Sequence, residues 1–144
     1  MKTTGCQSSA AAHERTRPTV VVADDHRRML DAVSNLLADD FRLVAAVTDG
    51  RQAVDAVSRL DPDVAVLDIT MPELDGFHAA EELRRRGSQA KVIFLTVNDD
   101  EDYVAAALES GGVAYVLKSR MYSDLMRAIS AALAGEIFIS PRTI

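Results

Sequence analysis

Five polar side chains in this sequence stand where they could act together: the carboxylates of Asp24, Asp25 and Asp68, the hydroxyl of Thr96 and the amine of Lys118. Each, or the pair in the case of Asp24-Asp25, follows directly on a short apolar run. Asp25 and Asp68 are 43 residues apart, Asp68 and Thr96 28, and Thr96 and Lys118 22. Carboxylates brought within a few ångströms of one another cannot all stay ionised unaided, because like charges raise a pKa. A hard divalent cation resolves that conflict, and Mg²⁺ takes one or two carboxylates while keeping waters. A lysine and a hydroxyl beside such a site can hold phosphoryl oxygens. One carboxylate could itself be a nucleophile and form an acyl phosphate. Asp68 suits that role best, alone at the end of the most apolar central run. Read singly, each residue has a plainer use: Asp24-Asp25 as a helix cap, Asp68 or Thr96 in a turn, Lys118 as a solvated charge. Their joint placement is what points to a site.

The elements that must position them follow from periodicity. The apolar runs are Val20–Ala23, Leu43–Val47, Val64–Leu67, Val92–Leu95 and Val113–Leu117. All but the second are continuous, as strands buried on both faces are; the second, preceded by Arg42, reads as more edge-like. Segments of helical period lie between them. Met29, Leu30, Val33, Leu36 and Leu37 make one stripe, and Ala53, Val54 and Val57 a second that ends at Leu60-Asp61-Pro62. A third helix carries Glu81-Glu82 before Arg84-Arg85-Arg86 and stops at Gly87. A fourth opens near Asp99-Asp100, and a fifth opens at Ser123 and stops at Gly135. Five βα units in strict alternation predict an α/β protein with a parallel five-stranded sheet and helices on both faces. In such a sheet ligands bind beyond the carboxyl ends of the strands, which is where the five polar residues fall.

Composition agrees. The chain has 144 residues, 48% hydrophobic and 26% charged, enough apolar content for one well-packed domain. The net charge is −6; residues 1–17 carry +2, so the remainder carries −8. A body that acidic is a poor binder of a phosphate backbone by counterion release. No apolar run reaches the roughly 18–20 residues that span a bilayer. The lone Cys6 allows no internal disulfide and suggests a reducing, cytoplasmic setting. Residues 1–17, rich in Ser, Thr, Gly and Ala and without an apolar core stretch, read as a disordered tail rather than a signal peptide.

Four stretches carry a resemblance to a known family: Asp24-Asp25-His26, the run Asp68-Ile69-Thr70-Met71-Pro72-Glu73-Leu74-Asp75-Gly76, Thr96-Val97, and Ala114-Tyr115-Val116-Leu117-Lys118-Ser119. Together they resemble the receiver domain of a two-component response regulator of the NarL/FixJ type, over about residues 18–141. The resemblance implies a flavodoxin-like, doubly wound (βα)5 fold of strand order 2-1-3-4-5. It implies Asp68 as phosphoacceptor and Mg²⁺ held by Asp25, by Asp24 partly through water, by Asp68 and by the backbone carbonyl of Thr70. Thr96 and Lys118 would bind the phosphoryl group, Tyr115 would be the aromatic switch that turns inward when Thr96 moves, and Thr70 and Asn98 would tune the lifetime of the acyl phosphate. The implied partners are a sensor histidine kinase, a second copy on activation, and DNA only through an output domain. The domain would be a phosphoacceptor that assists its own phosphorylation and dephosphorylation, not a turnover enzyme.

Two positions depart from the usual pattern. Ser119 replaces a common proline after the lysine, which puts a cis Lys118–Ser119 bond in question. Val97 stands where a small residue is common, and its branched side chain is expected to narrow access to Asp68. Rival readings are a receiver-like interaction module that needs no phosphate, against which the intact polar set argues, and an aspartate-nucleophile phosphatase of the haloacid dehalogenase kind. The latter needs a second aspartate two residues on, where this chain has Thr70. No glycine has nucleotide-loop spacing. The receiver is read as residues 18–135, and residues 136–144 as the start of a linker to a helix-turn-helix output domain that this chain lacks. A truncated protein is the reading taken, with a naturally single-domain protein as the alternative.

Overall fold

A computed structural model describes residues 17–141. In chain order the elements are β1 (Thr19–Ala23), α1 (Arg27–Leu37), β2 (Arg42–Val47), α2 (Gly50–Leu60), β3 (Val64–Leu67), α3 (Gly76–Arg85), β4 (Lys91–Thr96), α4 (Glu101–Glu109), β5 (Ala114–Leu117), a 3₁₀ turn (Lys118–Arg120), α5 (Met121–Leu133) and β6 (Phe138–Ile139). The strands form one sheet in the order β2-β1-β3-β4-β5-β6, and every pairing is parallel.

Successive side chains of a strand point to opposite faces, and here both faces are covered. Val21, Ala23, Ala65, Leu67, Phe94 and Tyr115 pack with Val54 and Val57 of α2, Leu83 of α3 and Val104 of α4. Val20, Val22, Val66, Ile93, Leu95 and Val116 pack on the other side with Val33 and Leu37 of α1 and Leu125 and Ile129 of α5. That division explains the unbroken apolar runs: a strand buried on both faces has no polar alternation to show. Strand β2, with only one neighbour, is exposed or half-buried at every position, as an edge strand can be.

The expectation of five strands falls one short. Phe138 and Ile139 pair with Ala114 and Tyr115, and the ladder is closed by Phe138 N–H donating to Val113 O and Ser140 N–H to Tyr115 O. Two residues are too few to show a period, and what holds them is the free edge of β5. The fifth helix also opens earlier than Ser123. The 3₁₀ turn feeds directly into Met121, and the Ser123 hydroxyl donates to Arg120 O and to Asp124 Oδ1 inside the first turn instead of capping it. The remaining ends follow local chemistry. Asp49, Asp75 and Asp100 cap α2, α3 and α4 through side-chain oxygens. Asp61 (φ 48°) and Gly87 (φ 79°) turn the chain left-handed after α2 and α3.

Of the proposed tail only Arg17 lies among the described residues. Its guanidinium donates to the carbonyls of Ala38 and Asp39. Cys6 and the other tail residues lie outside the described range. Among the described residues no helix is long and apolar enough to cross a membrane.

Candidate phosphorylation site

Strands β1 and β3 run side by side and end together, Ala23 opposite Leu67. The backbone ladder continues one residue past each end: Asp68 N–H donates to Ala23 O at 3.0 Å and Asp24 N–H to Val47 O at 3.1 Å. The two acidic residues are therefore fixed by main-chain bonds before their side chains do anything. Both are buried, Asp24 at 2% and Asp68 at 6% exposure, whereas Asp25 lies exposed beside them. Asp24 and Asp25 do not cap α1. The N-cap position is His26, which makes no capping side-chain bond, and its N–H donates to Asp24 Oδ1 at 2.9 Å. The other oxygen, Asp24 Oδ2, is left for the pocket.

Lys118 reaches into this pair from the end of β5. Its Nζ lies 2.8 Å from Asp24 Oδ2 and 3.2 Å from Asp68 Oδ2, with the side chain 8% exposed. The Lys118–Ser119 peptide is trans, as is every peptide among the described residues.

The fourth strand end brings Thr96, buried at 1%. Its hydroxyl oxygen accepts from Asn98 N–H at 3.2 Å and from Asn98 Nδ2 at 3.4 Å. The ring of Tyr115 is also buried, and its hydroxyl donates to Asn98 O at 2.6 Å. In this conformation the aromatic side chain is already inward. Asn98, which sequence reasoning valued only as a neighbour of the acyl phosphate, is the piece that joins Thr96 to Tyr115. A main-chain carbonyl carries half of that link, and carbonyls leave no trace in residue types. Thr70 is exposed on the β3–α3 loop and Val97 stands 77% exposed after Thr96.

That loop closes tightly over the site. Gly76 N–H donates to Ile69 O at 2.7 Å, and a Cβ on Gly76 would sit 2.3 Å from the carbonyl oxygen of Asp68. No side chain fits there without moving the Asp68 backbone, so the glycine at this position is required by the close approach.

The response regulator receiver domain family matches residues 20–130 of this sequence. The chain belongs to that family. The receiver is 35% identical over 125 residues to the transcriptional regulatory protein DegU of Brevibacillus brevis, covering 85% of this chain and 53% of that protein. It is 32% identical over 124 residues to the nitrate/nitrite response regulator protein NarL of Escherichia coli K12, covering 85% and 57%. Its fold superimposes on the signal receiver domain of the putative response regulator NarL from Mycobacterium tuberculosis with a TM-score of 0.80 at 28% identity, over 83% of this chain and 98% of that one. The chain thus spans a little over half the length of these curated relatives.

The electrostatics of the receiver site favour a cation. Burial and the neighbouring Asp24 charge push the Asp68 carboxyl from 3.8 up to about 6; Lys118 opposes the shift and Asp25 adds to it. Burial alone would lower Lys118, but its bonds and charge pairing with Asp24 and Asp68 outweigh that and hold it above the ordinary lysine value. Asp24 Oδ2 is buried and receives no well-aligned hydrogen bond, its partner being the Lys118 ammonium charge. Asp24, Asp25, His26 and Asp68 each offer a ligand atom, all within 4.8 Å of one another. An oxygen-rich set in which two buried carboxylates share one ammonium fits a hard divalent cation. His26, the N-cap residue of α1, is also part of the cluster, its Nδ1 3.3 Å from Asp25 Oδ1.

A stability trend follows. Asp68 binds its proton more tightly folded than unfolded, so between about pH 4 and pH 6 the folded receiver holds more protons than the unfolded chain. Unfolding free energy then falls as pH rises through that window, and the penalty is fully present above it. In metal-free buffer the Asp68 contribution is expected to make the receiver lose stability from pH 4 to pH 6.5. Urea denaturation of wild type against Asp68→Asn across that range isolates the term; a difference that does not grow with pH contradicts it.

Proposed function

We propose that this receiver takes a phosphoryl group onto Asp68 from a phosphohistidine on a sensor histidine kinase. The observation that carries the reading is the Lys118 ammonium shared between Asp24 Oδ2 and Asp68 Oδ2 at the mouth of a buried acidic pocket. An Asp68 carboxylate oxygen attacks phosphorus in line, a P–O bond forms as the P–N bond to the donor breaks, and the electron pair leaves with the imidazole. Asp24, Asp25, Asp68 and the Thr70 carbonyl would hold Mg²⁺, which when bound neutralises charge on the transferring group. Lys118 exchanges its carboxylate partner for a phosphoryl oxygen.

Thr96 Oγ1 accepts two N–H bonds from Asn98, so its own proton is available to a phosphoryl oxygen. A shift of Thr96 toward Asp68 loads Asn98, and through the Asn98 carbonyl it reaches the Tyr115 hydroxyl. Phosphorylation in this way biases a two-state equilibrium on the α4–β5 side of the domain. Thr70 and Asn98 flank the acyl phosphate and set its lifetime, and Val97 restricts access by small donors.

Residues 18–135 form the receiver proper and 136–144 begin a linker, the first part of which is docked as β6. In a longer protein the domain would control a DNA-binding output module in the cytoplasm, with homodimerisation on activation. It acts stoichiometrically as a switch. Intact mass after treatment with acetyl phosphate and Mg²⁺ tests the proposal. One added phosphoryl group, mapped to Asp68 and lost on chelation of the metal beforehand, is expected. No addition favours a phosphate-independent interaction module, and rapid multiple turnover favours a phosphatase.

A further inference from the structure

Beside the end of β5 lies a second buried charge, the Asp124 carboxylate, that the proposed reaction does not use. Asp124, in the first turn of α5, is fully buried, and Ser140, the residue after β6, is 1% exposed. The Ser140 hydroxyl donates to Asp124 Oδ2 at 2.7 Å and accepts from the backbone N–H of Leu117 at 3.2 Å. Arg120 Nε donates to the same Asp124 oxygen at 2.8 Å, and Ser123 Oγ to the other at 3.1 Å. The Ser140 N–H itself donates to Tyr115 O at 2.8 Å. Burial alone would raise the Asp124 carboxyl, but the bonds from Arg120, Ser140 and Ser123 outweigh it and hold the group below the ordinary carboxylate value. The network is charged and satisfied, and it is made of residues from two sides of Lys118: Arg120, Ser123 and Asp124 after it, and Ser140 bonded to the residue before it.

A buried carboxylate is costly to keep where an apolar side chain would fill the space. What this one secures is the Leu117–Lys118 backbone. The Leu117 N–H, at the end of β5, donates to the Ser140 hydroxyl, and a buried donor deprived of its partner is costly. We infer that Ser140 and Asp124 are positioning residues for phosphoryl binding: they fix the backbone from which Lys118 reaches Asp24 and Asp68, and so make residues 138–140 a working part of the site. The inference rests on Lys118 serving as the phosphoryl partner. Because linkage is reciprocal, the same bonds report the state of Lys118 to the segment by which the chain leaves the domain.

The full chain carrying Ser140→Ala, Ser140→Thr or, as a remote core control at the opposite end of the sheet, Phe41→Leu tests this. Mg²⁺ affinity is read by calorimetry, affinity for beryllofluoride as a phosphoryl mimic by fluorine NMR at saturating Mg²⁺, and the rate of phosphoryl incorporation from acetyl phosphate by intact mass. Ser140→Ala is expected to weaken beryllofluoride about tenfold and slow incorporation to a similar degree, with Mg²⁺ affinity within twofold of wild type. Ser140→Thr, which keeps the hydroxyl, is expected to restore both, and Phe41→Leu to leave both unchanged despite its loss of stability. Unchanged beryllofluoride affinity in Ser140→Ala overturns the inference, as does an equal loss in Phe41→Leu, which would make the network purely structural. A wild-type chain that neither binds beryllofluoride nor takes up phosphoryl defeats the proposed function, and this inference with it.

Discussion

Asp68→Asn is expected to take up no phosphoryl group at any Mg²⁺ concentration, and to be more stable than the wild type in metal-free solution. The two effects have one cause. Asp68 is 6% exposed, lies beside the Asp24 carboxylate, and has its carboxyl raised from 3.8 to about 6. Holding it ionised at pH 8 therefore costs folding free energy. A shift of roughly two pH units corresponds to on the order of 3 kcal/mol, with part of that offset because the amide gives Lys118 a weaker acceptor. A gain of about 1–3 kcal/mol in urea denaturation with EDTA at pH 8 is the expected result. The gain should vanish below about pH 4, where the wild-type carboxyl is protonated in both states. The proposed nucleophile is lost at every pH, because an amide oxygen carries no anionic lone pair to form the acyl phosphate. Phosphoryl incorporation in Asp68→Asn, or its mapping to Asp24 or Asp25 in the wild type, would remove Asp68 from the role given to it. The opposed signs are what a functional site predicts: a residue placed for chemistry is kept against the stability of the fold.

Much of this arrangement was legible in residue types. Strands buried on both faces announce themselves as Val-Val-Val-Ala or Val-Ile-Phe-Leu, and the residue after each run falls at the ligand-binding edge of a parallel sheet. That reasoning placed Asp24, Asp68, Thr96 and Lys118 on one edge, and the structure brings Asp24, Asp68 and Lys118 into contact. What stayed hidden has physical reasons too. Strand β6 is two residues long and is held by the edge of β5, not by any pattern of its own. The Asn98 link between Thr96 and Tyr115 runs through a main-chain carbonyl and amide. Asp124 looks like any acidic residue in a first helical turn, and Ser140 like any serine before a proline; only tertiary packing buries both and joins them. His26 starts α1 and its ring also stands at the carboxylate cluster, a position that only the meeting of β1 and β3 reveals.

Removing the cation of the site should have the opposite effect to removing its nucleophile. Lys118→Met keeps most of the aliphatic stem but leaves Asp24 and Asp68 buried, close together and without the ammonium that now sits 2.8 and 3.2 Å from them. Breaking a buried ion pair from one side typically costs about 3–5 kcal/mol, because the remaining charge is uncompensated. The site has one escape: Asp68, already raised to about 6 with Lys118 opposing the shift, rises further and takes up a proton. The loss is therefore expected to be about 3 kcal/mol at pH 8 in EDTA, and to be smaller at pH 5, where Asp68 is protonated with or without Lys118 and only Asp24 is left without its partner. Saturating Mg²⁺ at pH 8 should recover much of the difference by the same electrostatic argument, while phosphoryl incorporation is expected to stay impaired if Lys118 holds the product as proposed. Asp68→Asn combined with Lys118→Met should lose far less than Lys118→Met alone, giving a coupling of at least about 1 kcal/mol between neighbours that share a contact. Urea denaturation of the two single variants and the double variant, at pH 5 and pH 8 with and without Mg²⁺, measures each quantity. A Lys118→Met loss that is the same at both pH values and indifferent to Mg²⁺ would mean that Lys118 supports the fold by packing its stem. The pairing with Asp24 and Asp68 would then be a consequence of where the stem lies, and not the device that holds two buried carboxylates ready for a phosphoryl group.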